Sequence, residues 1–477
     1  FAARPLADGG IVAISEYYRD PGIRRQMVRF LGGETVEEAT AAYITASAPG
    51  CIQYLPRPVE DLYACLDQGL DIGRSLWDKE ALVVHLDIDY VNFTYPAEAY
   101  LDANRTFDIL QPVIGAAREL VEAEGVRPLH LLSGCGHHLV WSIRQGSAAF
   151  ARLAEVGRVS PSVEGRYRQT HTPPGRAVAP ELGRAHAGLG MVLEHLAHRV
   201  LARAAPACEV PVEVTAVRVG SGKRGSEAVS LDISEYADPL HLRTIRVPFS
   251  VYLKPEQRRD VLGEEVVSRL SPLFLIPLDR MGVTEGLETM RSPQRVREWA
   301  GAADARIPEC SSASEALIEA YRASDLAGFH EWFYSQSQEP PERWPRTYDA
   351  TPLERLPPCG RKALQNPCDL LMRPGRIRHV VRLLLAEGWH PRHIAGLIRS
   401  KYERDYGWGD YWYRYDATSR ADFYTRVFAG LFLAGDDELV DFNCRSTQEK
   451  GWCLPAECHG GVDARREALL QRRAAHV

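Results

Sequence analysis

The sequence predicts an α+β chain: a sheet-bearing unit over residues 1–260, a helical connector over 261–350 and a mostly helical unit over 351–477. Three observations carry this. Ala81–Tyr90, ALVVHLDIDY, is an apolar run rich in β-branched residues and reads as a buried strand. Pro128–Ile143, PLHLLSGCGHHLVWSI, reads as strand, glycine-containing turn and strand. Towards the C-terminus the apolar spacing becomes helical. Ile377, Val380, Val381 and Leu384 share one face of Arg376–Glu387; Ile394, Leu397 and Ile398 share one face of Pro391–Tyr402.

At 477 residues the chain has room for two or three domains with real cores. With 45% hydrophobic and 25% charged residues it matches ordinary globular proteins, which excludes a disordered or fibrous class. A net charge of −6 gives no global sign of nucleic-acid binding. Charge is uneven, however: residues 355–428 hold 14 Lys/Arg against 7 Asp/Glu, a basic segment inside an acidic protein. No run of 18 apolar residues exists, so no membrane partner is expected. The opening FAARPLADGG lacks the apolar core of a secretory signal. Ten cysteines in so long a chain are not a disulfide scaffold; their crowding near the C-terminus suits a metal site in a reducing compartment, hence a cytoplasmic protein.

Ser15–Leu31 and Pro58–Leu70 are expected helices leading into the first strand. Side chains two apart on a strand share a face, so Asp87 and Asp89 project together. Two carboxylates that close repel each other and are costly to desolvate, which favours a shared divalent cation. Oxygen ligands suit Mg²⁺ or Mn²⁺ and, through it, a substrate's phosphates. Two solvated aspartates at an exposed strand end would read the same way. A loop to about Asn104 and a helix over Phe107–Glu124, stopped by Gly125, come next. The strands Pro128–Leu132 and His137–Ile143 then flank a turn at Ser133–Gly136. Gly134 and Gly136 allow backbone N–H groups to approach an anion, with Ser133 and His138 at the opening, as a triphosphate cradle requires. A plain hairpin with surface histidines fits the same residues.

Residues 156–185 are rich in Pro, Gly and Arg and read as a mobile loop or inserted arm, followed by a helix at about Gly188–Ala204. Val229–Ile233 is a short strand bearing Asp232. Leu242–Leu253 alternates as another strand and carries Arg243, Arg246 and Ser250, with Lys254 just beyond. Carboxylates that hold metal ions beside cations that hold phosphate oxygens are what phosphoryl chemistry needs. A hairpin with its charges in water is the competing description.

The stretches HLDID (85–89), SGCGHH (133–138), LD (231–232) and RTIRVPFSVYLK (243–254), in this order, resemble the motifs of the archaeo-eukaryotic primase superfamily. That family shows hDhD on a strand, SGxGxH, then hD followed by RLxRxPxSxHxK; the likeness spans about residues 80–260. It implies an RRM-like catalytic core in which Asp87, Asp89 and Asp232 are metal-binding catalytic carboxylates. It also implies that Ser133 and His138 contact the incoming nucleotide's phosphates, and that Arg246 and Lys254 add positive charge. Where the family often has His in SxHxK, this chain has Tyr252.

At the C-terminal end Cys359 follows a Pro-Pro, and NCRSTQEKGWCLPAEC carries Cys444, Cys453 and Cys458. Four thiolates from two segments suit either a tetrahedral zinc site or a 4Fe–4S cluster, and buried free cysteines are a third reading. The pattern resembles the C-terminal domain of the large primase subunit over about residues 353–460. That resemblance implies a 4Fe–4S cluster on Cys359, Cys444, Cys453 and Cys458, with Cys368 a spare candidate. Cys51, Cys65, Cys135, Cys208 and Cys310 are read as structural. The basic segment with its interleaved run YGWGDYWYRYDATSR suits nucleic acid, through cations on the backbone and rings on unpaired bases.

Together these imply a primase–polymerase that makes short primers on a single-stranded DNA template from NTPs or dNTPs. Two metal ions would serve the attacking 3′-hydroxyl and the leaving pyrophosphate, and a helicase or other replication protein would be a partner. A primer-extending or repair polymerase, and a catalytically inactive nucleic-acid-binding component of a replication or defence complex, remain the alternatives.

Overall fold

A computed structural model describes residues 14–48, 55–167, 178–237, 244–270, 272–365, 370, 373–402, 416–454, 458 and 461–476. Its strands are β1 (Ile44–Ser47), β2 (Leu55–Arg57), β3 (Asp71–Ser75), β4 (Ala81–Asn92), β5 (Leu129–Leu132), β6 (Gly136–Arg144), β7 (Val212–Val214), β8 (Glu227–Asp232), β9 (Thr244–Arg246) and β10 (Ile276–Pro277). They form two sheets, ordered β2–β1–β3–β9 and β10–β5–β6–β4–β8–β7. Every pairing is antiparallel except β7 with β8. The chain is thus α+β.

β4 lies at the centre of the larger sheet because it is apolar on both faces. Leu82, Val83, Val84, Leu86 and Ile88 are all at most 1% exposed. Cover is lost at the first residue, Ala81, and then at Asp87, Asp89 and Val91, which are half-buried. One face is closed by α1 (Ala103–Ala123), which buries Phe107, Leu110, Val113, Ile114 and Ala117, and by α3 (Pro180–Ala204), which packs on α1; α2 (Ala148–Val156) packs on α3. Asp102 caps α1 by accepting from the Arg105 amide, and Gly125 at φ 84° ends its run. Truncating a residue such as Leu110, fully buried in α1, would cost about 2–5 kcal/mol.

Several expected elements are shifted. The expected helix over 15–31 takes its main form only at Pro21–Phe30, because Asp20 accepts from the amides of Gly22 and Ile23 and Pro21 starts the helix. The segment 58–70 is a 3₁₀ turn and the helix Leu62–Asp67. The strand expected over 242–253 is confined to Thr244–Arg246. Pro248 offers no ladder donor and Phe249 sits at φ 68°, so the chain turns there. The expected arm at 156–185 holds a helix at Pro161–Tyr167, and α3 begins at Pro180. Residues 261–350 add β10 to the sheet edge and the helices α4 (Ser311–Arg322), which packs on α2 and α3, and α5 (Asp325–Ser335).

The C-terminal unit contains α6 (Pro358–Gln365), α7 (Pro374–Ala386), α8 (Pro391–Tyr402), α9 (Ala417–Ala434), α10 (Cys444–Glu449) and α11 (Gly461–His476). Buried ion pairs join it to the sheet-bearing unit. Glu194 of α3, fully buried, accepts from Arg426 of α9 at 2.9 Å and meets His330 of α5 at 3.1 Å. Arg378 of α7 reaches both Glu213 of β7 and Asp441. Arg382 holds Asp437 and Asp441. Much of the basic surplus noted in the sequence is therefore spent internally: Arg378, Arg382, Arg420 and Arg426 are each under 10% exposed. Arginine pairs well in such places because its planar fork matches carboxylates. Of the aromatic run, Tyr406 to Tyr415 lie outside the described residues. No described helix is long and apolar enough to cross a membrane.

Candidate active site

The register of β4 assembles the site. Asp87 is paired with His138 on β6 and with Asp232 on β8, while Asp89 is paired with Gly136 and Ser230. Directly opposed residues of an antiparallel ladder lie about 4.5–5.5 Å apart and share a face. Asp87, Asp89, Asp232 and His138 thus gather on the face opposite α1, although they come from three segments.

Each acid has a local partner. The Asp87 carboxylate lies 3.7 Å from His138 Nδ1, Asp89 lies 3.4 Å from Lys254 Nζ, and Asp232 accepts from the Ser234 amide at 2.9 Å. One oxygen each of Asp87 and Asp89 is buried without a hydrogen-bond donor. Burial, then the Asp89 charge, pushes the Asp87 carboxyl well above the usual carboxylate range. Burial, then the neighbouring cationic form of His85, holds His138 far below an ordinary imidazole. Two orphaned carboxylate oxygens on one face are the donor set a hard divalent cation takes, so the residues fit Mg²⁺ or Mn²⁺. Among the described residues no group of three or more His, Cys, Asp or Glu side chains is already gathered around one point as a metal-holding set.

The turn between β5 and β6 owes its glycines to packing. A Cβ on Gly136 would stand 2.1 Å from the Ile88 carbonyl oxygen and 2.3 Å from an Asp89 carboxylate oxygen. One on Gly134 would stand 2.6 Å from the Tyr252 ring. Ser133 is buried, and both its amide and its hydroxyl donate to the Gly136 carbonyl, closing the turn. Tyr252, where the family pattern has His, lies over this turn and meets the Cys135 thiol at 3.2 Å.

β9 of the smaller sheet and the segment that follows it supply the cations. Arg246 makes a bidentate pair with Asp71 of β3, with Nε at 2.7 Å from one oxygen and Nη2 at 2.8 Å from the other, and stacks over Tyr252 at 4.4 Å. Ser250 is fully buried; its hydroxyl accepts from the Ile72 amide at 2.9 Å and meets Tyr18 at 3.2 Å, which ties the turn after β9 to β3. Lys254 also lies 3.6 Å from the Cys135 sulfur. Arg243 lies outside the described residues.

Sequence reasoning missed Asp71, His85 and Glu235. His85 had a signal, since it continues the 85–87–89 face. Asp71 had none before β3 was paired with β9, which lies about 170 residues further along the chain.

Cys359 is buried in the first turn of α6. His379 of α7 approaches its sulfur at 3.3 Å. Burial, and after it the nearby Cys458 and Cys453 thiolates, push the Cys359 thiol up to about 11. Cys444, at the start of α10, donates its backbone N–H to Asp463 at 3.1 Å. Cys359 is buried and Cys444, Cys453 and Cys458 are half-buried; soft sulfur donors of this kind would suit iron or zinc rather than a hard cation. Cys368 and Cys51 lie outside the described residues; Cys65, Cys135, Cys208 and Cys310 are free thiols.

Comparison of the chain with protein-family models, with curated proteins and with solved structures finds no match.

Proposed function

We propose that the chain is a template-directed nucleotidyltransferase of the primase–polymerase kind, with an RRM-like core, that starts short primers on single-stranded DNA. The observation that carries this reading is the Asp87–Asp232–His138 row with Asp89 beside it, two orphaned carboxylate oxygens included, with Lys254 at 3.4 Å from Asp89. Asp87, Asp89 and Asp232 would hold Mg²⁺ or Mn²⁺, which supplies Lewis acidity at the attacking hydroxyl and the leaving pyrophosphate. His138 binds the nucleotide's phosphates and Lys254 balances their charge. Arg246 is held ready by Asp71. Cys359, Cys453 and Cys458, with Cys444, would hold a 4Fe–4S cluster, zinc being the alternative.

The C-terminal unit serves initiation, when no primer contributes binding energy. A cavity of about 450 Å³ between the units is lined by Arg158, Tyr236, Arg392 and Arg426, and suits the first nucleotide of a primerless start. NTPs and dNTPs both remain candidate substrates, and a helicase a candidate partner.

The test is incorporation of labelled ATP or dATP on a primerless single-stranded template, wild type beside Asp87→Ala/Asp89→Ala, with Mn²⁺ or Mg²⁺. Short products from wild type alone are expected. Extension only with a primer would favour a repair polymerase, and silence in both a binding protein.

A further inference from the structure

Beyond the carboxylates and His138, the same face of the sheet holds two side chains with no role so far. His85 is 3% exposed and Glu235 is 5% exposed. We propose that His85 and Glu235 are positioning residues that fix which ring nitrogen His138 turns toward a nucleotide's phosphates; the proposal rests on the nucleotidyltransferase reading.

The assignment runs on donors and acceptors. The Glu235 carboxylate approaches His85 Nδ1 at 2.8 Å, so His85 donates from that nitrogen. His85 Nε2 then lies 2.6 Å from His138 Nδ1, and the two rings are stacked at 4.9 Å and 11°. With Nδ1 engaged by His85, Nε2 is the nitrogen His138 has left for a ligand. An unsupported imidazole could rotate and offer either nitrogen; this one is held from behind.

The backbone is fixed by the same turn. The Tyr236 hydroxyl accepts from the His85 amide at 3.2 Å and donates to the His85 carbonyl at 3.1 Å, replacing β8 where that strand leaves β4. The Ser234–Tyr236 turn is itself anchored by Asp232, which accepts from the Ser234 amide. One short segment, Asp232–Tyr236, therefore sets both a carboxylate of the proposed metal site and the orientation of the phosphate-binding histidine.

The test uses the full-length protein on a primed template, with incorporation measured against nucleotide concentration and, in parallel, calorimetric binding of Mn²⁺–dATP. His85→Ala is expected to raise the KM and the Kd for the nucleotide about tenfold, as loss of one hydrogen bond to a charged group does, with kcat nearly unchanged. His85→Gln, whose amide reaches the Nε2 position, should recover most of the affinity. In a His138→Ala background, His85→Ala should add almost nothing, because it acts through His138. Unchanged nucleotide affinity in His85→Ala, or the same loss with His138 already removed, would overturn the proposal. Wild type that binds the nucleotide without incorporating it would sink the enzyme reading while the binding arm still decides the positioning role. Wild type that does not bind the nucleotide overturns both.

Discussion

Asp87 and Asp232 stand directly opposite each other across the β4–β8 ladder. Like charges opposed in this way destabilise a sheet and make sense where a cation is to be shared. Asp87→Asn should therefore cut incorporation by about 10³-fold, since several kcal/mol of charge stabilisation are lost. Its melting temperature should hold or rise, because one repelling charge is gone. Thermal denaturation beside the incorporation assay checks both halves; a fall in stability would contradict the repulsion argument.

The turn glycines give a separable pair. Gly134→Ala pushes a methyl into the Tyr252 ring, with an overpacking cost of about 1–3 kcal/mol that Tyr252→Ala should relieve. Gly136→Ala meets the backbone of β4, and no side-chain truncation should rescue it. A double-mutant cycle in urea unfolding distinguishes the two.

Acid should loosen the joint between the units. Arg426 and His330 outweigh burial and hold the Glu194 carboxyl down at about 2, from 4.5 when unfolded. A depressed folded value means stability that is present above pH 4.5 and lost as pH falls toward 2. The loss is on the order of 3 kcal/mol. Stability measured against pH should show a steeper acid limb in wild type than in Glu194→Gln.

Cutting the chain at Asp349 would remove Arg426 and strand the buried Glu194, so a point substitution is the cleaner probe of initiation. Arg392 pairs with Asp422 at 2.6 Å at the cavity between the units. Arg392→Gln should keep primer extension and lose about tenfold in primerless starts, as removal of one charged contact to phosphate predicts. Equal primerless synthesis would count against that cavity.

Protein purified without oxygen should carry iron and acid-labile sulfide, and Cys359→Ala, Cys453→Ala and Cys458→Ala should each lose them. Zinc in place of iron would move the assignment to a tetrahedral site. If the unit holds such a group, chelation should destabilise the C-terminal unit before the sheet, because metal binding there would add to folding stability.

The α+β class, the central strand and the carboxylates were legible in the residues themselves. Alternation puts Asp87 and Asp89 on one face whatever surrounds them, and a run of β-branched apolar residues selects the middle of a sheet. Residues 242–253 misled because alternation was counted through Pro248, where the chain turns. The basic segment shows what composition leaves out: it counts charges but not their partners, and Arg378, Arg382 and Arg426 meet acids far away in sequence.

The sequence by itself determined which side chains alternate, where helices can start and stop, and that three acids and a histidine accompany glycine turns. Only the tertiary structure decided that Asp232 lies opposite Asp87, that Asp71 holds Arg246, and that Glu235 and His85 stand behind His138. Local propensity acts over a few residues, whereas these pairings depend on which strands become neighbours, on their register and on the turn that follows β8, set by burial across the whole chain.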